Sequence, residues 1–440
     1  MSAEWASFSA PLAFAGFIAL FAGAGLAVLA YDSPAFPSWR AWVRKVAGRR
    51  SSGDLDWLNR TLLTVLAATA FALAAATTWL LGGYSCGPHG PSDLATLIAS
   101  GHAFLTGGDP FTITACGLSG NPVPAGAASV LLDAVGSLGG RPGILLVWGA
   151  VSVSLVPLLW SVGGADRATA TTFVLVSLLY LPIVAAQVDG ASLALVPLAV
   201  LLVLWLSRQG WTRAAALGGF LATGRFPAIF PVAAVTGRAG ARRLWALLAA
   251  VGMFAAVTAI TVAAYGNRFL DPVFFLQFGR SHFALNYWGI LEGEGWLAPS
   301  RVVTVVQALI TVAAVGACWV RARSELGAAS IVLVVTVLLA QFLSFTELVF
   351  LVPVALTGRR SRWWLWAIGV VGSANYLLAL RALADLGGAW WLSYGLDILL
   401  SGLLVGLLAD LVRGQLSWAG APPSPSTSVQ PVAAGAQRPG

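Results

Sequence analysis

Apolar runs about 20 residues long recur from one end of the chain to the other, and most of them stop at arginines. A hydrocarbon core about 30 Å thick is crossed by about 20 apolar residues in helical form, so each run is a candidate span. With 58% hydrophobic and only 10% charged residues among 440, no soluble core has room for this much apolar surface. The expected class is therefore an all-α, polytopic integral membrane protein. The formal net charge of +8 raises the question of nucleic acid. The arginines, however, sit at the ends of apolar runs rather than on one polar face, so they read as topology signals and no nucleic-acid partner is expected.

Residues 12–31 form the first run, with no positive cluster ahead of them and no small-residue cleavage site, so they are expected to remain as a span. The segment 32–60 that follows carries Arg40, Arg44, Lys45, Arg49, Arg50 and Arg60, which makes it cytoplasmic and puts the N-terminus outside. Further spans are expected at 61–81, 143–162, 169–186, 191–207, 244–265, 302–320, 363–382 and 396–411. Two stretches, 214–236 and 330–356, are interrupted at Gly224-Arg225-Phe226-Pro227 and at Ser344-Phe345-Thr346-Glu347, and both read as pairs of short or broken helices. The total is about thirteen crossings of the cell membrane. After Trp418 the composition turns to Pro, Ser, Ala and Gly, so 419–440 is expected to be a disordered cytoplasmic tail. The chain then divides into a leading span with its basic loop (1–60), a membrane domain (61–418) and the tail.

Polar chemistry is concentrated in two loops expected outside. The first, 82–142, contains PSDLATLIASGHAFLTGGDPF at 91–111, with Asp93, His102 and Asp109. Leu94, Leu97, Ile98, Phe104 and Leu105 follow helical spacing behind Pro91-Ser92, which predicts a helix lying in the membrane interface. Asp93 at its start either caps free N–H groups or acts as a base, while Gly107-Gly108-Asp109-Pro110 most simply ends the helix. Cys86 and Cys116 bracket this segment and are expected to pair, closing a loop worth about 3–4 kcal/mol in the chain-entropy account, the alternative being two free thiols. The second loop, 266–300, holds Arg280 and His282 among aromatics that include Trp288 and Trp296. With three histidines and no CxxC or HxxxH spacing, no metal site and no cofactor are expected.

These segments resemble the GT-C superfamily of glycosyltransferases, especially the actinobacterial polyprenyl-phosphomannose-dependent α-mannosyltransferases. The resemblance rests on the acidic residue ahead of GHAFLTGGDPF, on Gln187-Val188-Asp189-Gly190 before an apolar run, on AAALGGFLATGRFP at 214–227 and on SFTELVFLVP at 344–353. It differs from the family pattern in the extra leading span, in Asn121-Pro122-Val123-Pro124 where a Tyr-Pro-Pro run is usual, and in Thr346-Glu347 where mannosyl members often carry histidines.

The resemblance implies an inverting transferase that takes a sugar from a polyprenyl-phosphate carrier to a lipid-linked or cell-envelope acceptor, with Asp93 as general base. A lipid-phosphate leaving group calls for planar, multidentate donors, for which Arg225 and Arg280 are the candidates, with His282 behind them. Asp109, His102, Asp189 and Glu347 complete the candidate substrate-binding set, each with a turn or cap role as the plainer reading. Two rival classes fit the same composition: a transporter or flippase whose polar loops gate it, and a membrane scaffold without chemistry.

Overall fold

The computed structural model describes residues 19, 22–46, 62–69, 93–111, 114–115, 118–119, 126–164, 166–179, 191–209, 213–237, 243–266, 287, 290–291, 296, 301–340, 345–382 and 390–417. Over these the chain is helical, apart from a two-stranded antiparallel ribbon that pairs Thr114–Ala115 with Leu118–Ser119. Four helices among the described residues are long and apolar enough to cross a membrane: Gly140–Val162, Leu244–Tyr265, Val302–Arg321 and Tyr394–Gln415. Over its described residues the chain is thus a mainly helical membrane protein.

Burial sorts the helices into inner and outer ones. The inner set is Leu195–Arg208, Ile229–Thr236, Glu325–Leu339 and a 3-10 helix at Phe345–Thr357, where Val200, Val232, Val332 and Leu351 have no exposed surface. By contrast, Leu244–Tyr265 and Val302–Arg321 expose Trp245, Ile260, Val302 and Leu309 over more than 60% of their surface, as helices facing lipid tails do. Local signals explain several ends. Ser324 caps Glu325–Leu339, its Oγ accepting from the Gly327 N–H at 3.0 Å, and Glu325 sits in the first turn where the dipole favours an anion.

The first broken stretch is broken where the sequence indicates: Ala214–Ala222 and Ile229–Thr236 are separate helices joined through Thr223, Gly224, Arg225 and the short 3-10 turn Phe226–Ala228. The second differs: the helix Glu325–Leu339 ends earlier, and Phe345, Thr346 and Glu347, expected in the interruption, already belong to the 3-10 helix Phe345–Thr357, with 341–344 outside the described residues.

Other boundaries differ. Gly140–Val162 begins three residues earlier than expected, because Pro142 in a first helical turn gives up only an N–H that has no intrahelical partner anyway. Arg359–Ala382 takes in the basic residues read as its flank, and Arg362 there is fully buried rather than solvated. The end of the long loop 82–142 is not irregular either: Ala127–Ser137 is a helix that forms an antiparallel hairpin with Gly140–Val162. The two backbones nearly touch, since a Cβ on Gly143 would fall 2.2 Å from the Gly136 carbonyl oxygen.

Candidate functional site

The expected loop helix exists as Asp93–Leu105. Its apolar face is narrower than the spacing suggested: Leu97 is buried against Ile144, Trp148 and Leu195, whereas Leu105 is 48% exposed. At its C-terminal end the Gly108 N–H donates to the Ala103 carbonyl at 2.8 Å and the Gly107 N–H to the Phe104 carbonyl at 3.2 Å. Gly107 has φ +76°, a left-handed conformation that glycine adopts without a Cβ penalty, so the pair is a Schellman ending. Asp109 Oδ1 then accepts from the Phe111 N–H at 2.9 Å, and Ser100 Oγ donates to the Pro110 carbonyl at 3.0 Å. Asp109 is accordingly part of the turn that folds the chain back on the helix. His102 is exposed.

This helix docks on the next one at a glycine. A Cβ on Gly101 would lie 2.3 Å from the Asp133 carbonyl oxygen, so the two backbones meet there, and only glycine permits it. The partner helix, Ala127–Ser137, lacks a side-chain cap from its own N-cap residue, Gly126. Its free N–H groups are met instead by the break in the 214–236 pair: Gly126 N–H donates to the Gly224 carbonyl at 3.1 Å and Ala128 N–H to Thr223 Oγ1 at 3.3 Å. Ser129 Oγ donates to the same Gly224 carbonyl at 3.0 Å. The interruption therefore has a structural employer: it presents the Gly224 carbonyl and the Thr223 hydroxyl, and another helix starts on them.

Arg225 follows immediately. It is 7% exposed, with extended backbone, and opens the Phe226–Ala228 turn. Its guanidinium acts electrostatically on Asp133, which has no exposed surface at all. Asp133 Oδ1 accepts from the Trp148 indole N–H at 2.9 Å, while Oδ2 has no hydrogen-bond partner among the described residues. Sequence reading passed over Asp133 because it lay in a stretch taken as polar loop. The available signal was a lone acid inside the apolar, helix-spaced run AASVLLDAVGS, fifteen residues ahead of a tryptophan.

The expected site residues thus fall into three groups. Arg225 and the helix that begins with Asp93 converge on Ala127–Ser137, and Asp93 occupies the first helical position, one turn ahead of Leu97. Glu347 is 5% exposed at the start of the Phe345–Thr357 helix, which packs along Ala191–Ala194 and Leu195–Arg208, the stretch whose Leu195 meets Trp148. Asp189, Arg280, His282 and Trp288, and the Cys86–Cys116 pairing, lie outside the described residues; Trp296 is 74% exposed. Among the described residues no three His, Cys, Asp or Glu side chains cluster in a way that would hold a metal ion.

Chemically, the junction offers a buried guanidinium whose field reaches a buried carboxyl on the neighbouring helix. No known family model, no curated protein and no solved structure matches the chain.

Proposed function

We propose that this protein is a membrane glycosyltransferase that moves a sugar, a hexose or pentose such as mannose, from a polyprenyl-phosphate carrier to a lipid-linked or cell-envelope acceptor. In this reading the chain crosses the cell membrane about thirteen times, the N-terminus and the 82–142 loop face outward, and the tail is cytoplasmic. The acceptor hydroxyl attacks the anomeric carbon as its proton passes to the Asp93 carboxylate. The new glycosidic C–O bond forms with inversion while the bond to the phosphate oxygen breaks, and the lipid phosphate leaves against the Arg225 guanidinium. Arg280 and His282, on the second loop, would meet the same phosphate. Asp109 drops out of the substrate-binding set, because its carboxylate is engaged in its own turn.

The observation that carries the reading is the convergence of two separately chosen features. The loop helix beginning with Asp93 seats on Ala127–Ser137, and that helix is built on the very break that carries Arg225. A charged group at membrane depth is expensive and is a functional hypothesis by default.

The test is turnover of a radiolabelled polyprenyl-phosphate sugar by the purified protein with a glycolipid extract as acceptor. Asp93→Asn should lower turnover by about 10²–10⁴-fold, the range a positioned general base supplies. Arg225→Ala should raise the donor KM. Undiminished turnover in the Asp93 variant removes the base, an unchanged donor KM removes Arg225 from the site, and lipid translocation without sugar transfer favours the flippase.

A further inference from the structure

A surface feature at the opposite, arginine-rich end of the bundle is unused by that chemistry. The residues just after the first described helix, Ala22–Asp32, were expected to be a basic loop; Pro37–Val46 is instead a helix. It is anchored sideways on the helix before it. The Trp39 indole N–H donates to the Ala27 carbonyl at 2.9 Å, and Arg40 Nε donates to the Tyr31 carbonyl at 3.0 Å. Ala27 lies about 7.5 Å before the end of its helix at 1.5 Å per residue, so Trp39 reaches back along the apolar segment rather than out into water. Trp42 stacks on Trp39 with ring centroids 5.0 Å apart, at an interplanar angle of 17°.

Only one side of this helix is covered. Trp39 and Val43 pack with Val28 and Trp160 around Tyr31 and Ala168, whereas Trp42 is 54% exposed and Phe36 48% exposed. Exposed cations lie beside this cluster. Lys45 lies one turn beyond Trp42, and Arg167 sits at 5.1 Å over the ring of Trp160, which packs with Trp39 and Val43. Among the described residues the neighbouring acids are already engaged: Asp32 and Asp166 face Arg362 at 2.6 and 3.6 Å. Open aromatic rings beside exposed cations have one natural complement, an anionic lipid surface.

We infer that Pro37–Val46 is an interfacial helix that seats Phe36 and Trp42 at the headgroup–acyl boundary and binds anionic lipid headgroups through Lys45 and Arg167. The inference rests on the chain being a membrane protein and not on the transferase reading, so either can fail without the other.

Amide hydrogen exchange of the full chain tests it, in nanodiscs of phosphatidylglycerol and of phosphatidylcholine with the same acyl chains, with Val302–Arg321 as the internal control. Exchange across 36–46 should be slower in phosphatidylglycerol, and Lys45→Gln should remove about fivefold of that protection, the equivalent of about 1 kcal/mol for one basic residue near an anionic surface. Trp42→Ser, on the open side of the helix, should speed exchange there in both lipids while the control helix is unchanged. Equal exchange of the wild type in the two lipids, or Lys45→Gln behaving as wild type, overturns the headgroup assignment; a silent Trp42→Ser overturns the insertion.

Discussion

A carboxyl with no exposed surface persists among apolar side chains only where donors or a cation offset the water it has given up. Asp133 has one of each, the Trp148 indole and the Arg225 guanidinium. The two can be separated by substitution. Asp133→Asn keeps an acceptor for the indole, whereas Asp133→Ala strands a buried N–H, which costs about 1–3 kcal/mol. Thermal unfolding in micelles should therefore place Asp133→Ala below Asp133→Asn. A double-mutant cycle of Asp133→Asn with Arg225→Gln should give a coupling of about 0.5–3 kcal/mol; additivity would mean that the two do not share a field. At this scale legibility was uneven for a physical reason. Arg225 announces itself as a cation amid Gly-Gly and Pro inside an apolar run, where desolvation is obviously costly. Asp109 is ambiguous until its hydrogen bond to the Phe111 N–H is known. Asp133 is invisible until Ala127–Ser137 is recognised as a helix, because burial is a property of the partner surface and not of the residue.

Among elements, the decisive contacts are between backbones. The break at 223–225 gives its carbonyl and hydroxyl to the start of Ala127–Ser137, and Gly126 is the residue that lets the two ends meet. A Cβ there would fall 1.6 Å from the Thr223 carbonyl oxygen, a backbone atom that cannot step aside. Gly126→Ala should thus push the two elements apart. Overpacking of this kind costs about 1–3 kcal/mol, and because Arg225 adjoins the break, donor KM should rise along with the loss of thermal stability. A Gly126→Ala protein that melts and turns over as wild type would show that the joint tolerates separation. Helix interruption was legible from Gly-Arg-Phe-Pro, since glycine and proline oppose helix continuation through local backbone terms alone. What the interruption is for was not legible, because its hydrogen-bonded partners lie 95 positions earlier. The Ala127–Ser137 helix was hidden for a related reason: it is eleven residues long, too short to register as a span.

The scale of the whole molecule brings in the leading helix, which is built into the bundle and not appended to it. Leu29 belongs to the main core together with Leu155, Val200 and Leu365. The Trp366 indole N–H donates to the Ala22 carbonyl at 2.9 Å, and Arg362, from the same helix Arg359–Ala382, reaches Asp32 at 2.6 Å and Asp166 at 3.6 Å. One fully buried guanidinium therefore ties together three segments that are far apart in sequence. Positive-inside reasoning correctly noticed the 359–362 cluster, yet treated its members as equivalent; Arg360 is 88% exposed while the Arg362 side chain is 0% exposed. The asymmetry predicts an order of damage. Asp32→Ala leaves the buried cation with only the more distant and half-exposed Asp166, and removing one partner of a buried pair costs up to about 3–5 kcal/mol, here reduced to about 1–3 kcal/mol because Asp166 remains. Arg362→Met removes the buried charge itself, keeps much of the side-chain volume, and leaves two carboxylates that are already partly in water. Unfolding midpoints in mixed micelles should place Asp32→Ala below Arg362→Met. The double variant should recover part of the loss seen in Asp32→Ala, since no buried cation is left to compensate. If Arg362→Met is the more damaging of the two, the guanidinium holds the bundle through its carbonyl contact to Ala355 and its packing rather than through the ion pair.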